Sequence, residues 1–78
     1  MWYVYQLKCA DGKYYTGFSD RVHERFKEHE LGEVSFTKSR LPVELVSYFA
    51  FKDKQLAYNF ERYLKTGSGI AFAKKRLR

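Results

Sequence analysis

Apolar and polar residues alternate from Trp2 to Cys9, with Tyr3, Tyr5, Leu7 and Cys9 on one side and Trp2, Val4, Gln6 and Lys8 on the other. That is the period of an extended strand. Asp11-Gly12 marks a turn, and Tyr14 to Gly17 forms the returning strand. Two registers compete for this hairpin. A two-residue Asp11-Gly12 loop sets Tyr15 opposite Lys8, on the face away from Tyr5. A three-residue loop, Ala10-Asp11-Gly12, puts Gly12 at the left-handed position of a bulged turn, so that Tyr15 faces Leu7 with Tyr5 diagonal to it. We adopt the second register, because only it lets both tyrosines share a site, and a one-residue slip turns Tyr15 to the other side of the sheet.

Beyond the hairpin the spacing becomes helical. Ser19 and Asp20 are both good caps for a helix from about Arg21 to Glu30, whose buried stripe is Val22 and Phe26. At roughly 100° per residue, Arg25 and His29 lie together along one flank of that stripe, in reach of the sheet edge. Leu31 to Pro42 holds Gly32, Ser35, Thr37 and Ser39 and reads as a long loop with Lys38-Ser39-Arg40 towards its end. Val43 to Phe51 is a third strand, with Val43, Leu45, Phe49 and Phe51 in alternating positions. Asp53 caps a helix to about Lys65 that buries Leu56, Ala57, Phe60 and Leu64, with Glu61 on the shoulder of the stripe nearest Ala57. Thr66-Gly67-Ser68-Gly69 ends that helix, and Ile70 to Arg78 forms a short basic terminal one. The expected order is β-β-α-β-α-α in one domain, residues 1–78.

Composition narrows the function classes. At 78 residues, 45% hydrophobic and 19% aromatic, the chain supports one modest core built largely from Tyr and Phe. Fifteen Lys and Arg against nine Asp and Glu give a net charge of +6, as expected of a domain that meets a polyanion. The positive charge gathers late: after Glu61 come Arg62, Lys65, Lys74, Lys75, Arg76 and Arg78 and no acidic residue. A single cysteine, Cys9, excludes an internal disulfide and a cysteine-based zinc site, fits a reducing cytoplasm, and reads as a small apolar strand residue. The N-terminus lacks the basic start and apolar run of a signal peptide, and no segment approaches the roughly 20 apolar residues of a membrane span.

Taken singly, the polar candidates have ordinary roles. Glu61 is a carboxylate on a helix shoulder, Arg25 a helix-surface cation with Glu24 and Glu28 in reach, His29 a helix-end residue, and each tyrosine a packing residue. Brought together beside a hairpin, tyrosine hydroxyls, a guanidinium and an imidazole can position water and bind phosphate. One carboxylate can hold Mg²⁺ when waters and phosphate oxygens complete the octahedron.

The ordered set Tyr3-Val4-Tyr5, Tyr15-Thr16-Gly17, Arg25 with His29 four residues on, and a mid-helix Glu61 resembles the GIY-YIG nuclease superfamily, and its small single-domain members most closely. The stretches Asp20 to His29, Thr37 to Pro42 and Phe60 to Gly67 look like segments typical of them. The resemblance implies an α/β (α+β) sandwich, a three-stranded antiparallel sheet flanked by helices. It also implies hydrolysis of nucleic-acid phosphodiesters, DNA ahead of RNA, with one divalent cation, Mg²⁺ or Mn²⁺. Carried over, Tyr5 and Tyr15 match the two motif tyrosines, Gly17 the final motif glycine, Arg25 the helix arginine, His29 the residue one turn later, and Glu61 the metal-binding glutamate. In those roles Glu61 holds the metal, Arg25 bonds the phosphoryl oxygens, and Tyr15 with Tyr5 in support orients or deprotonates the attacking water. Lys38, Arg40, Lys65, Lys74, Lys75 and Arg76 are the expected contacts to backbone phosphates. The chain departs from the family pattern in three places: Tyr3 stands for the first motif's glycine, Phe18 follows the second motif where a polar or basic residue is common, and no asparagine lies beyond Glu61. The rival expectation is a noncatalytic nucleic-acid-binding module on the same fold, and a third is an aromatic sheet face that docks a partner.

Overall fold

A computed structural model describes residues 1–78. The tyrosine hairpin pairs β1 (Trp2–Lys8) with β2 (Tyr14–Ser19), placing Leu7 opposite Tyr15 and Tyr5 opposite Gly17. The three-residue loop is therefore the one formed. Gly12 sits at φ +84°, a left-handed backbone that glycine adopts without strain, and the Cys9 amide donates to the Lys13 carbonyl at 2.8 Å. α1 (Val22–Glu30) follows, entered without a side-chain cap; the Ser19 hydroxyl instead accepts from the Arg21 amide at 3.0 Å.

The stretch expected to be a plain loop contains one short helix, α2 (Ser35–Lys38). It is tied to the hairpin by Arg40, which pairs with Asp11 at 3.0 Å, bonds the Phe36 carbonyl, and lies over the Phe36 ring. β3 (Glu44–Phe51) then adds on the far side of β1, so the sheet order is β2-β1-β3, all antiparallel, and β2 is an edge.

β3 does not keep a single alternation. Gln6 pairs with Ser47 but Leu7 with Leu45, which leaves Val46 as an extra residue in the ladder. An inserted residue reverses which face the following side chains take. Val43 and Leu45 consequently join Tyr5, Leu7, Cys9 and Val22 under α1. Phe49 and Phe51 turn to the opposite face and pack on Phe60. The one stripe expected of these four residues is split into two, which suits a sheet covered on both sides.

That second face is covered by α3 (Lys54–Tyr63) and α4 (Gly67–Arg76), whose Ala57, Leu64 and Ala73 pack on Val4. Asp53 caps α3 as expected, its carboxylate accepting from the Gln55 and Leu56 amides. Leu56 is 57% exposed rather than buried, because the helix turns Ala57, Phe60, Glu61 and Leu64 inward, a stripe rotated by one position. Thr66 and the glycines after it do not merely stop a helix; they start one. Its hydroxyl accepts from the Gly69 amide at 3.2 Å and caps α4. No helix is long and apolar enough to cross a membrane.

Candidate active site

The registered hairpin puts Tyr5 and Tyr15 on the α1 face with ring centroids 6.2 Å apart. His29, at the end of the stripe that begins with Val22 and Phe26, is fully buried against both rings, 5.8 Å from Tyr5 and 4.9 Å from Tyr15. It does not reach over the sheet edge as its position on a helix flank suggested. Its neighbours are core residues, and its polar atoms are satisfied internally.

Those bonds form a chain. The Tyr5 hydroxyl lies 3.0 Å from His29 Nε2, and His29 Nδ1 lies 2.7 Å from the hydroxyl of the buried Thr37. Thr37 in turn donates to the Val34 carbonyl. With its proton directed there, Thr37 accepts from Nδ1–H, and the neutral ring accepts from the Tyr5 hydroxyl at Nε2. Burial first, and the Arg25 guanidinium second, push the His29 pKa down to about 4. Burial, reinforced by Tyr15 and opposed by Arg25, pushes Tyr5 up to about 12. Tyr5 is therefore a phenol near neutral pH, oriented by a neutral imidazole. α2, invisible in the sequence pattern, exists to deliver Thr37 to this chain.

Arg25 stays half-exposed on the flank of α1. Its guanidinium pairs with Glu28 at 2.8 Å, which raises the arginine's pKa and lowers that of Glu28. Tyr15 is only partly buried and faces outward. It lines a groove of about 680 Å³ that runs across the β2 edge. One wall holds Tyr14, Tyr15, Thr16 and Phe36; the other holds Leu64, Lys65, Ile70 and Lys74.

Glu61 is not part of the tyrosine cluster. It belongs to α3, on the opposite face of the sheet, where it is 9% exposed and paired with Lys65. The tyrosine face does not look towards Glu61: the groove beside Tyr15 is lined by its ion-pair partner Lys65 and not by Glu61 itself. The structure thus brings Tyr5, Tyr15, His29 and Arg25 together directly and leaves Glu61 on the other face of the sheet, linked to the groove only through Lys65. Gly17 lies against Tyr5, since a Cβ there would stand 2.1 Å from the ring. Among the expected phosphate contacts, Lys65 and Lys74 line the groove, Lys38, Lys75 and Arg76 are exposed outside it, and Arg40 is committed to Asp11.

Three residues here escaped the sequence reading: Thr37, Gln6 and Thr16. Gln6 had a signal, being the one polar residue flanked by Val4 on a strand face bound for the core. Its amide nitrogen donates to the Thr16 hydroxyl. The departures from the family pattern are structural: Phe18 stacks on Trp2 at 5.2 Å, and Tyr3 packs edge-on to Tyr48.

The buried neutral histidine makes a pH prediction. An unfolded chain protonates His29 near pH 6.5, whereas the folded one resists to about 4, so the stability is full above 6.5 and is lost as pH falls through this window. Thermal denaturation should show a loss of about 2 kcal/mol between pH 6.5 and 5, before most carboxylates titrate. His29→Gln should flatten that slope; an unchanged slope would show that the histidine is not the group responsible.

Comparison with known proteins bears on the family and the fold. The family model described as the GIY-YIG catalytic domain matches residues 1–72. A UPF0213 protein of Natronomonas pharaonis is 43% identical over 65 residues, which cover 82% of this chain and 76% of that protein. A UPF0213 protein of Cupriavidus pinatubonensis is 35% identical over 78 residues, covering 95% of this chain and 87% of its own length. The solution NMR structure of a UPF0213 protein from Bacillus halodurans superposes with a TM-score of 0.60 at 34% identity, over 96% of this chain and 84% of that one.

Proposed function

The chain belongs to the GIY-YIG family, whose catalytic domain suggests nuclease activity, and we propose that it is a divalent-metal-dependent endonuclease acting on DNA ahead of RNA. In this reading selection is by nucleic-acid structure rather than base sequence, because the groove offers lysines and aromatic rings, which meet phosphates and stacked bases rather than base edges. The observation that carries this reading is the Tyr5–His29–Thr37 chain standing behind the groove-facing Tyr15, with Arg25 beside it. The chain fixes the Tyr5 hydroxyl and ring behind Tyr15, which is what this reading needs of it.

In this reading Tyr15 contacts the attacking water, and Tyr5, fixed as a phenol, holds the Tyr15 ring and the Arg25 guanidinium in place. Arg25 turns from Glu28 to the phosphoryl oxygens, where its planar fork meets the charge that builds on them. Glu61 suits a metal in its chemistry: a nearly buried carboxylate whose ion-pair partner Lys65 lines the groove, able to supply one oxygen to an ion that keeps most of its waters. Lys65 then releases Glu61 and is free for a substrate phosphate. A divalent cation bound there would offset charge on the phosphate and on the departing 3′ oxygen.

The Glu61–Lys65 ion pair favours a second reading, because a carboxylate already neutralised by an ammonium also suits a noncatalytic binding module. The experiment that separates them is nicking of branched, single-stranded and duplex DNA in Mg²⁺ or Mn²⁺. The nuclease reading expects Glu61→Gln to lose about 10²-fold or more in rate with DNA binding in EDTA retained. Absence of nicking on every substrate, or nicking indifferent to Glu61→Gln, leaves the binding module.

A further inference from the structure

Gln6 is 1% exposed, a polar side chain on the apolar face that packs against α3 and α4. Its nitrogen is spent on Thr16, and its oxygen accepts from Arg78 Nε at 3.0 Å. The Arg78 guanidinium also lies over the Tyr14 ring, 4.1 Å from the centroid. Two partners thus fix an otherwise exposed arginine at the wall of the groove. Neither partner carries charge.

That separates it from three of the other arginines, though not from Arg62, held over the Tyr58 ring, or Arg76, neither of which pairs with a carboxylate. Arg21, Arg25 and Arg40 each pair with a carboxylate. Arg78 is oriented by an amide and a ring, with no side-chain carboxylate paired to it, and its terminal N–H groups have no protein acceptor. Lys74, without a carboxylate partner, lines the same groove. A guanidinium held through Nε presents its terminal pair as a fork, the shape that meets two oxygens of a phosphate. Thr16, which anchors Gln6, is adjacent in sequence to Tyr15.

We propose that Arg78, oriented by Gln6 and Tyr14 and assisted by Lys74, forms a subsite for a nucleic-acid backbone phosphate next to the one cleaved. Its placement beside the cleaved bond rests on the nuclease reading; its affinity for a phosphodiester backbone does not. Gln6 is a positioning residue, acting through the arginine.

The test is fluorescence anisotropy of the full chain with a fluorescein-labelled oligonucleotide in EDTA, repeated across KCl concentrations. Arg78→Ala is expected to weaken binding about tenfold at low salt and to make the slope of log K against log[salt] shallower by just under one. Lys52→Ala removes an equal charge from an exposed position away from the groove and should change affinity less than twofold. Gln6→Met, which keeps the charge and the core volume, should weaken binding about threefold with the slope intact. Melting temperatures are read alongside for both variants, since Arg78→Ala takes the donor from the buried Gln6 oxygen, and Arg78→Ala decides if Gln6→Met fails to fold. The subsite is refuted if Arg78→Ala binds no more weakly than Lys52→Ala. Nicking that depends on Glu61 together with that result removes the subsite alone; absent nicking with a normal Arg78 effect removes the nuclease reading alone.

Discussion

Gly17→Ala should cut nicking by about 10²-fold or more while the protein still folds. A Cβ at this position would stand 2.1 Å from Tyr5 Cζ and 2.3 Å from its hydroxyl oxygen, far inside van der Waals contact. The neighbour is the end of a side chain and not backbone, so relief comes from Tyr5 moving rather than from the sheet opening. Tyr5 is buried at 1% exposure with its hydroxyl on His29, and any movement large enough to relieve the clash breaks that bond and pushes the ring towards Tyr15. Overpacking of this kind costs about 1–3 kcal/mol, and each kcal/mol lowers the melting temperature of so small a domain by about 4–8 °C. The site suffers more than the fold because the displaced group belongs to it. The measurement is nicking rate and melting temperature on the same preparation; a rate within a few-fold of the unmodified protein would mean that Tyr5's position is not needed.

Gly69→Ala should do the reverse, disabling the fold itself. Here the added carbon would lie 1.8 Å from the Tyr63 carbonyl oxygen and 2.7 Å from the Leu64 Cα, both backbone. α4 crosses the end of α3 at contact distance, and only a missing side chain permits it. Relief requires α4 to lift, exposing Ala73 and uncovering Leu64 and Val4. The expected cost is about 4 kcal/mol, against a total of about 4–12 kcal/mol for a domain of this size. Urea denaturation should show the midpoint falling by about a third or more, and Gly67→Ala, with nothing within 4 Å of its Cβ, is the matched control. Equal midpoints for the two variants would rule out close helix packing as the reason for Gly69.

The two glycines illustrate how differently the sequence speaks. Gly17 was legible because it sits in a motif, next to a tyrosine that also belongs to one. Gly69 was read as a breaker, because Thr-Gly-Ser-Gly looks like a helix stop until the crossing of α3 and α4 is known. In the same way the alternation of β1 and the Asp53 cap were readable, being set by neighbours within a few residues. The β3 bulge was not, since Val46 is the extra residue only relative to its partner strand. Thr37 looked like loop because its partner, His29, lies eight positions back.

By itself the sequence determined the hairpin, two of the helices and the set of polar residue types, because period-two alternation, turn glycines and caps are local chemistry; it left two hairpin registers open, and strand pairing chose the bulged one. Tertiary structure decided which of those polar groups meet. It buried His29 between two tyrosines and kept it neutral, set Glu61 on the opposite face of the sheet, spent Arg40 on Asp11, and left Arg78 lining the groove without a carboxylate partner. Burial, desolvation and the choice of partner depend on what packs from distant parts of the chain, and no local pattern records them.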